Sequence, residues 1–111
     1  KRATMELGGH APVIIFDDLT INLGTREVFV SDVSITLTAK EFDLLAFLAS
    51  SPKQVFSREQ LLDRVWNSSS AWQSTDTVTE HIRRLRKRVE INPDKPRWLT
   101  TVWGIGYRFN P

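Results

Sequence analysis

Hydrophobic and polar residues alternate with a period of two between residues 13 and 37, and after that the spacing becomes helical. Short runs rich in Val, Ile, Phe and Thr, separated by Asp, Asn, Gly or Ser, are typical of strands joined by tight turns. The pattern therefore predicts an antiparallel meander. Its four predicted strands are Val13–Phe16, Leu19–Leu23, Glu27–Val30 and Ser34–Leu37.

Two capping-box sequences follow the strands and predict where helices begin. Thr38 stands three residues before Glu41, and Ser57 stands three residues before Gln60. In this motif the hydroxyl accepts a free N–H of the first turn, and the Glu or Gln side chain reaches back to accept another. Pro52 ends the first helix, because the residue before proline avoids helical angles. The predicted helices cover 38–51 and 57–66.

A third predicted helix, over 75–90, has one apolar side and one strongly charged side. The apolar stripe consists of Val78, Ile82, Leu85 and Val89. The opposite side carries Asp76, Glu80, Arg83 and Lys87, with Arg84 and Arg88 on one edge and Thr79 and Arg86 on the other. Guanidinium groups bind guanine edges and phosphates, and a helix of this shape fits the DNA major groove. A charged helix face is also often simply solvated, so both interpretations stand at this point.

The last predicted element is a hairpin directly after the basic helix. Its strands are Trp98–Trp103 and Tyr107–Phe109, and the residues 104–106 between them form a turn because glycine permits positive φ. The hairpin can project beside the helix. Before the helix, the polar loop 67–74 carries Trp72, which is expected to be exposed. A lone loop tryptophan more often folds back onto the core, and an exposed one would suit a protein contact.

Composition narrows the possible functions. The 111 residues suit one domain, with 41% hydrophobic and 25% charged residues. The net charge of +2 is unevenly distributed, since residues 1–57 hold five basic and seven acidic groups and residues 58–111 hold ten and six. A basic half suits a polyanionic partner. The absence of cysteine suits a reducing cytoplasm, and no membrane span is predicted. Residues 1–12 are polar and aperiodic, and are predicted to be a linker or tag remnant with little structure, preceding a domain over 13–111.

Five sequence motifs in a fixed order resemble those of the effector domain of OmpR/PhoB-type response regulators. They span most of residues 13–109. The resemblance implies an α+β fold: a winged helix-turn-helix with an N-terminal four-stranded antiparallel sheet, three helices and a C-terminal hairpin wing. The matching motifs are Leu37–Leu45 (LTAKEFDLL), Phe56–Leu62 (FSREQLL), Val65-Trp66, His81–Lys87 (HIRRLRK) and Thr101–Phe109 (TVWGIGYRF).

The resemblance also implies roles for individual residues on double-stranded DNA. Helix 75–90 would read the major groove, with Arg84 at the base-reading position. His81, Arg83 and Arg86 would hold phosphates or the groove edge, and Thr101 and Tyr107 of the wing would contact the DNA backbone. Thr77, Glu80, Lys87 and Trp103 complete the predicted DNA-contacting set. The loop corresponds to a segment that can contact RNA polymerase, through Asn67, Ser70, Trp72 and Gln73.

Three residues depart from the family pattern and put the usual site preference in doubt. Trp103 stands at the wing tip where an arginine often reaches into the minor groove, so it is expected to pack or wedge instead. Asp76 stands where a basic phosphate contact is common. Glu80 lies on the outer face, where it would repel phosphate, accept from a cytosine amino group, or pair with Arg84 one turn later.

Partners and alternatives follow from these observations. The expected partners are paired DNA half-sites, RNA polymerase and an upstream receiver or other regulatory domain, and the isolated domain is expected to be a monomer. A competing hypothesis is a winged helix for protein interaction, in which Asp76 and Glu80 have disabled DNA contact and Trp72 and Trp103 are anchors. An enzyme is disfavoured because the chain has no Cys, P-loop or metal-ligand cluster, and no cofactor is expected.

Overall fold

Strands come first in the computed structural model of the protein, followed by three helices and a hairpin. The structure describes residues 12–69 and 72–111 in full, and the backbone of residues 3–6. The predicted α+β arrangement is confirmed. The strands are β1 Ala3–Glu6, β2 Val13–Phe16, β3 Leu19–Asn22, β4 Glu27–Val30, β5 Val33–Ile35, β6 Leu99–Val102 and β7 Gly106–Phe109. The helices are α1 Ala39–Ala49, α2 Arg58–Trp66 and α3 Asp76–Val89.

The N-terminal sheet is an antiparallel meander of five strands in sequence order. Its inner face buries Ile14, Phe16, Leu19, Ile21 and Val28, as the period of two requires. The four predicted strands are present, with the fourth shifted toward the N-terminus.

The fifth strand, β1, corrects the prediction that residues 1–12 have little structure. Ala3 pairs with Phe16 and Glu6 with Val13 along the free edge of β2. Edge pairing uses backbone N–H and C=O groups, so it needs no alternation of side chains that a sequence pattern could reveal. The linker or tag interpretation of residues 1–2 and 7–11 lies outside the described residues.

Both predicted capping boxes are formed. The Glu41 amide donates to Thr38 Oγ1 at 3.2 Å, and the Thr38 amide donates to Glu41 Oε1 at 3.0 Å. At the start of α2, the Gln60 amide donates to Ser57 Oγ at 3.0 Å and the Ser57 amide to Gln60 Oε1 at 2.8 Å. Each cap satisfies donors that no helical carbonyl can reach, and contributes about 1 kcal/mol. The ends of the first two helices are therefore fixed locally.

The core lies between the sheet, the three helices and the hairpin. The whole apolar stripe of α3 is buried, as predicted, against α1 and α2. Aromatic rings join the sheet to the hairpin: Phe16 lies 4.9 Å from Phe109 and the Trp98 ring stacks on Phe109 at 5.6 Å, both measured between centroids. The hairpin is thereby packed onto the same core as α3.

The hairpin is also attached through its backbone to the segment that precedes α2. The Phe56 amide donates to the Tyr107 carbonyl and the Tyr107 amide donates to the Phe56 carbonyl, each at 2.9 Å. A Cβ on Gly106 would lie 1.9 Å from the Phe56 carbonyl oxygen, so this position needs glycine for close approach. Gly104, with φ of +78°, makes the turn that was predicted for residues 104–106.

Candidate nucleic-acid interface

The charged side of α3 faces outward, opposite the buried stripe. The side chains of Arg83 and Arg84 are 54% and 50% exposed, so neither guanidinium is buried in the core. Lys87 is also exposed. At 100° per residue, Glu80 lies at the centre of this face and the two arginines lie on either side of it. We call Glu80, Arg83 and Arg84 the outer triad.

Glu80 is held by both arginines of the outer triad. Arg83 Nε donates to Glu80 Oε1 at 3.0 Å and its Nη2 donates to Oε2, while Arg84 Nε donates to the same Oε2 at 3.1 Å. The hydrogen bonds from Arg83 lower the pKa of Glu80 to about 2, and the carboxylate in turn raises the pKa of Arg83. Because the pKa of Glu80 is depressed, its charge persists above pH 4 and is lost only as the pH falls toward 2. The expected pairing of Glu80 with Arg84 is present, and Arg83 joins it.

Arg86 turns toward the hairpin. Its Nε donates to the Leu99 carbonyl at 2.9 Å, its Nη2 donates to Thr101 Oγ1 at 2.7 Å, and its guanidinium lies 5.7 Å from the centroid of the Tyr107 ring. Partial burial lowers the pKa of Arg86. Arg86, Thr101 and Tyr107 were each predicted to contact DNA. The structure brings these three residues together, and they contact one another. The contacts of Arg86 and Thr101 make them a link between α3 and β6.

His81 and Thr77 lie one turn apart on the side of α3 nearest the loop. His81 Nδ1 lies 2.8 Å from the Thr77 carbonyl oxygen, which identifies Nδ1 as the donor. The ring packs edge-on against Trp66 with centroids 4.9 Å apart. Gln73 Nε2 donates to Thr77 Oγ1 at 3.4 Å. These contacts fix the tautomer of His81 and leave Nε2 as the atom for an outside partner.

A cleft of ≈450 Å³ separates the N-terminus of α2 from the hairpin. Arg58 lines it, donates to Thr79 Oγ1 at 3.2 Å and lies 3.7 Å from an Asp76 oxygen. Sequence reasoning did not select Arg58 as a site residue. Its position as the first residue of α2, next to a capping serine, was the available signal. Arg58 offsets part of the negative charge of Asp76 at the edge of the outer face.

The hairpin tip and the loop before α3 expose two tryptophans. Trp103 is 88% exposed, and Ile105, two residues later, is 62% exposed. Trp72 is also 88% exposed, as predicted for the loop. Asn67 adopts a left-handed conformation at the end of α2, with φ of 51°. Ser70, the remaining predicted loop residue, lies outside the described residues.

Neither a cluster of metal-ligating side chains nor a membrane-spanning helix is found in the parts of the chain that the structure describes. No group of three or more His, Asp or Glu side chains there could hold an ion. Among the same residues, none of the helices is long and apolar enough to cross a bilayer.

Three helices with an outward-facing third helix, completed by a C-terminal β-hairpin, define a winged helix-turn-helix protein. A family model described as "Transcriptional regulatory protein, C terminal" matches residues 32–109, and the chain belongs to this family. It is 51% identical over 92 residues to the uncharacterized transcriptional regulatory protein YclJ of Bacillus subtilis, covering 82% of this chain and 39% of that protein. The chain spans about two-fifths of the length of the curated relatives it matches.

Solved structures show the same fold. The response regulator DrrB, a Thermotoga maritima OmpR/PhoB homolog, superposes with a TM-score of 0.82 at 37% identity, over 89% of this chain and 44% of DrrB. The Klebsiella pneumoniae RstA DNA-binding domain, solved in complex with the RstA box, gives a TM-score of 0.82 at 31% identity, over 89% of this chain and 97% of that domain. The resemblance to OmpR/PhoB-type effector domains is confirmed.

Proposed function

We propose that residues 13–111 bind double-stranded DNA sequence-specifically, as the effector domain of a transcriptional response regulator. The observation that carries this proposal is the outer face of α3. Its arginines are exposed directly opposite a fully buried stripe, and a hairpin projects from the next segment of the chain. A helix presented in this way fits the major groove, while the hairpin lies against the adjacent groove.

The residues of the proposed interface have three roles: reading of base edges, contact with phosphate or groove edge, and support of another contacting residue. Arg84 reads a guanine edge, because its terminal nitrogens form a fork suited to O6 and N7. Arg83, Lys87, Thr77 and the Nε2 of His81 contact phosphate or groove edge. Arg86 acts through Thr101, since these two side chains bond each other. The DNA-bound structure of the RstA domain supports this arrangement, because that domain shares the fold at 31% identity.

The wider setting of the domain is also proposed. The relatives it matches are more than twice its length, which supports an upstream receiver domain. The exposed Trp72 supports a contact of the loop, through Asn67, Ser70, Trp72 and Gln73, with RNA polymerase. The relatives named above come from bacteria, whose DNA lies in the cytoplasm, and this supports a cytoplasmic location. A single interface of this size binds weakly, so paired half-sites are expected.

The test is selection of duplex DNA from a random pool by the 111-residue chain, followed by affinity measurements with Arg84→Ala. Loss of the guanine contact should cost about 1–3 kcal/mol on the selected site and relax preference at one base pair. Arg64→Ala is the charge-matched control, because the Arg64 side chain is 63% exposed at the far end of α2 from the cleft. Equal loss by Arg84→Ala on selected and random DNA would refute base reading by Arg84.

A second candidate function is a winged helix that binds protein. It is favoured by two tryptophans that are each 88% exposed, and by a carboxylate that pairs with both arginines of the outer face. A gel shift at low salt separates the two functions. Absence of a shift with any duplex supports protein binding, whereas a shift that weakens steeply with salt supports DNA binding.

A further inference from the structure

Negative charge stands at the centre of the surface that would enter DNA. Asp76 and Glu80 lie one turn apart on the outward side of α3, ahead of the exposed Arg83, Arg84 and Lys87. In helix-turn-helix proteins the N-terminal part of the recognition helix is the part that approaches base edges. A surface built only to grip phosphates would carry cations there. The two carboxylates therefore need a different explanation.

The two carboxylates are not equivalent. Asp76 lies 3.7 Å from Arg58, which comes from a neighbouring helix, and its side chain is 87% exposed. Glu80 is 39% exposed and accepts hydrogen bonds from both flanking arginines of the outer triad. Glu80 therefore fixes the positions of two guanidinium groups and neutralises much of their charge. In the free protein, Arg83 Nε and Nη2 and Arg84 Nε are bonded to Glu80, and these nitrogens are less available to a phosphate that comes near.

Desolvation in the major groove makes a carboxylate selective. A carboxylate that leaves water without receiving a hydrogen bond loses its solvation free energy, and it also faces the phosphates at close range. Guanine presents acceptors in the major groove, and thymine presents an acceptor and a methyl group. Adenine presents an amino donor at N6, but beside its N7 acceptor, which repels a carboxylate. Cytosine presents an amino donor at N4 with no acceptor beside it on its own base, which is the edge that suits a glutamate. A glutamate at the groove floor is therefore compensated at some base pairs and penalised at others.

We propose that Glu80 is a specificity-determining residue that accepts a hydrogen bond from a cytosine amino group and penalises sites lacking that donor. This inference rests on the proposed DNA-binding function and adds a base preference to it. Glu80 and Arg84 are separated by four residues, about 6 Å along the helix. Base pairs are about 3.4 Å apart. The cytosine therefore lies within about two base pairs of the guanine read by Arg84.

The proposal assigns two linked effects to the same carboxylate. On sites lacking the cytosine, Glu80 keeps Arg83 and Arg84 paired with itself and weakens binding. On the correct site, the cytosine amino group binds Glu80, the guanine edge binds Arg84 and a phosphate binds Arg83, so each side chain of the outer triad has a partner of its own. Specificity then comes as much from weak binding to wrong sequences as from strong binding to the right one.

The experiment compares the 111-residue chain with its Glu80→Ala and Glu80→Gln variants by selection from random duplexes and by salt titration. Glu80→Ala should bind random DNA several-fold more tightly, with a log–log salt slope more negative by about 1–2, because two guanidiniums are released. The ratio of affinities for the selected site and its cytosine-substituted versions should fall about 5- to 100-fold. Glu80→Gln keeps the side-chain shape but also offers a donor, so it should tolerate acceptor bases at that position.

Asp63→Ala is the matched control, because it also removes one negative charge from an exposed helix position whose side chain is 74% exposed. It should leave the selected sequence unchanged. The inference is overturned if both Glu80 variants select the same sequence as the unaltered chain and lose affinity equally on all duplexes. If the unaltered chain binds no duplex at low salt, the proposed function itself fails, and the inference fails with it.

Discussion

Individual buried carboxylates hold the ends of secondary-structure elements in this protein. Glu90, at the end of α3, is 8% exposed and accepts three backbone N–H groups from the start of the hairpin. The donors are Arg97 at 2.7 Å, Trp98 at 2.9 Å and Leu99 at 2.8 Å. Buried N–H groups without partners are costly, so this one side chain makes the connection between α3 and β6 possible.

Glu90→Ala should strongly destabilise the fold. It leaves three backbone donors without their acceptor, and we expect a loss of about 3 kcal/mol, a large part of the stability of a small domain. Urea unfolding followed by circular dichroism measures it, with the exposed Glu59→Ala as the control of equal charge. A Glu90→Ala midpoint equal to that of Glu59→Ala would show that the three hydrogen bonds contribute nothing net.

At the scale of elements, the hairpin is positioned by close backbone contact. Tyr107 on β7 forms a two-hydrogen-bond bridge with Phe56, just ahead of α2. Arg86 holds the neighbouring strand through Leu99 and Thr101. The wing is therefore attached to α3 through Leu99 and Thr101, and through Tyr107 to the segment just ahead of α2. These contacts run from its base to the residue pair next to its turn.

Gly106→Ala should disturb the hairpin next to its turn, where Gly106 pairs with Val102. The added Cβ would overlap the Phe56 carbonyl oxygen, so the bridge must open or the strand must shift, and we expect about 2 kcal/mol of destabilisation. Thermal unfolding measures the loss. Gly104→Ala is the informative comparison, because its Cβ would meet no atom within 4 Å and only its φ of +78° is unfavourable. We expect the Gly104 variant to lose about 1 kcal/mol, and the reverse order would contradict the close-approach argument.

Signals within a few residues of each other predicted the elements well. The capping boxes, the stripe of α3 and the period-two strands are all local, and each is found in the structure. Contacts between distant residues were not predictable in the same way. The pairing of Arg86 with Thr101, and of Glu90 with the start of β6, depends on where the hairpin packs. Strand β1 was missed because backbone pairing at a sheet edge leaves no side-chain pattern.

At the scale of the whole molecule, the basic face that the described residues of α3 present is small, which would limit how tightly a single copy binds the proposed DNA. About four to six phosphate contacts give a log–log salt slope of about −4 to −5 per domain. We expect the isolated chain to sediment as a monomer and to occupy two half-sites with the combined slope of two domains. Sedimentation velocity and salt titrations of one-site and two-site duplexes check this, and a tight dimer without DNA would contradict it.

Because the hairpin is attached at two places, α3 and the wing keep a constant separation. Glu90 joins the end of α3 to the start of β6, and the contacts of Arg86 with Leu99 and Thr101 connect the helix to this strand farther along. Two elements held at a constant separation do not adapt to the shape of their ligand. On the proposed duplex, the groove would have to match the separation of α3 and the wing. The free energy needed to bend base pairs that no side chain touches then becomes part of the affinity.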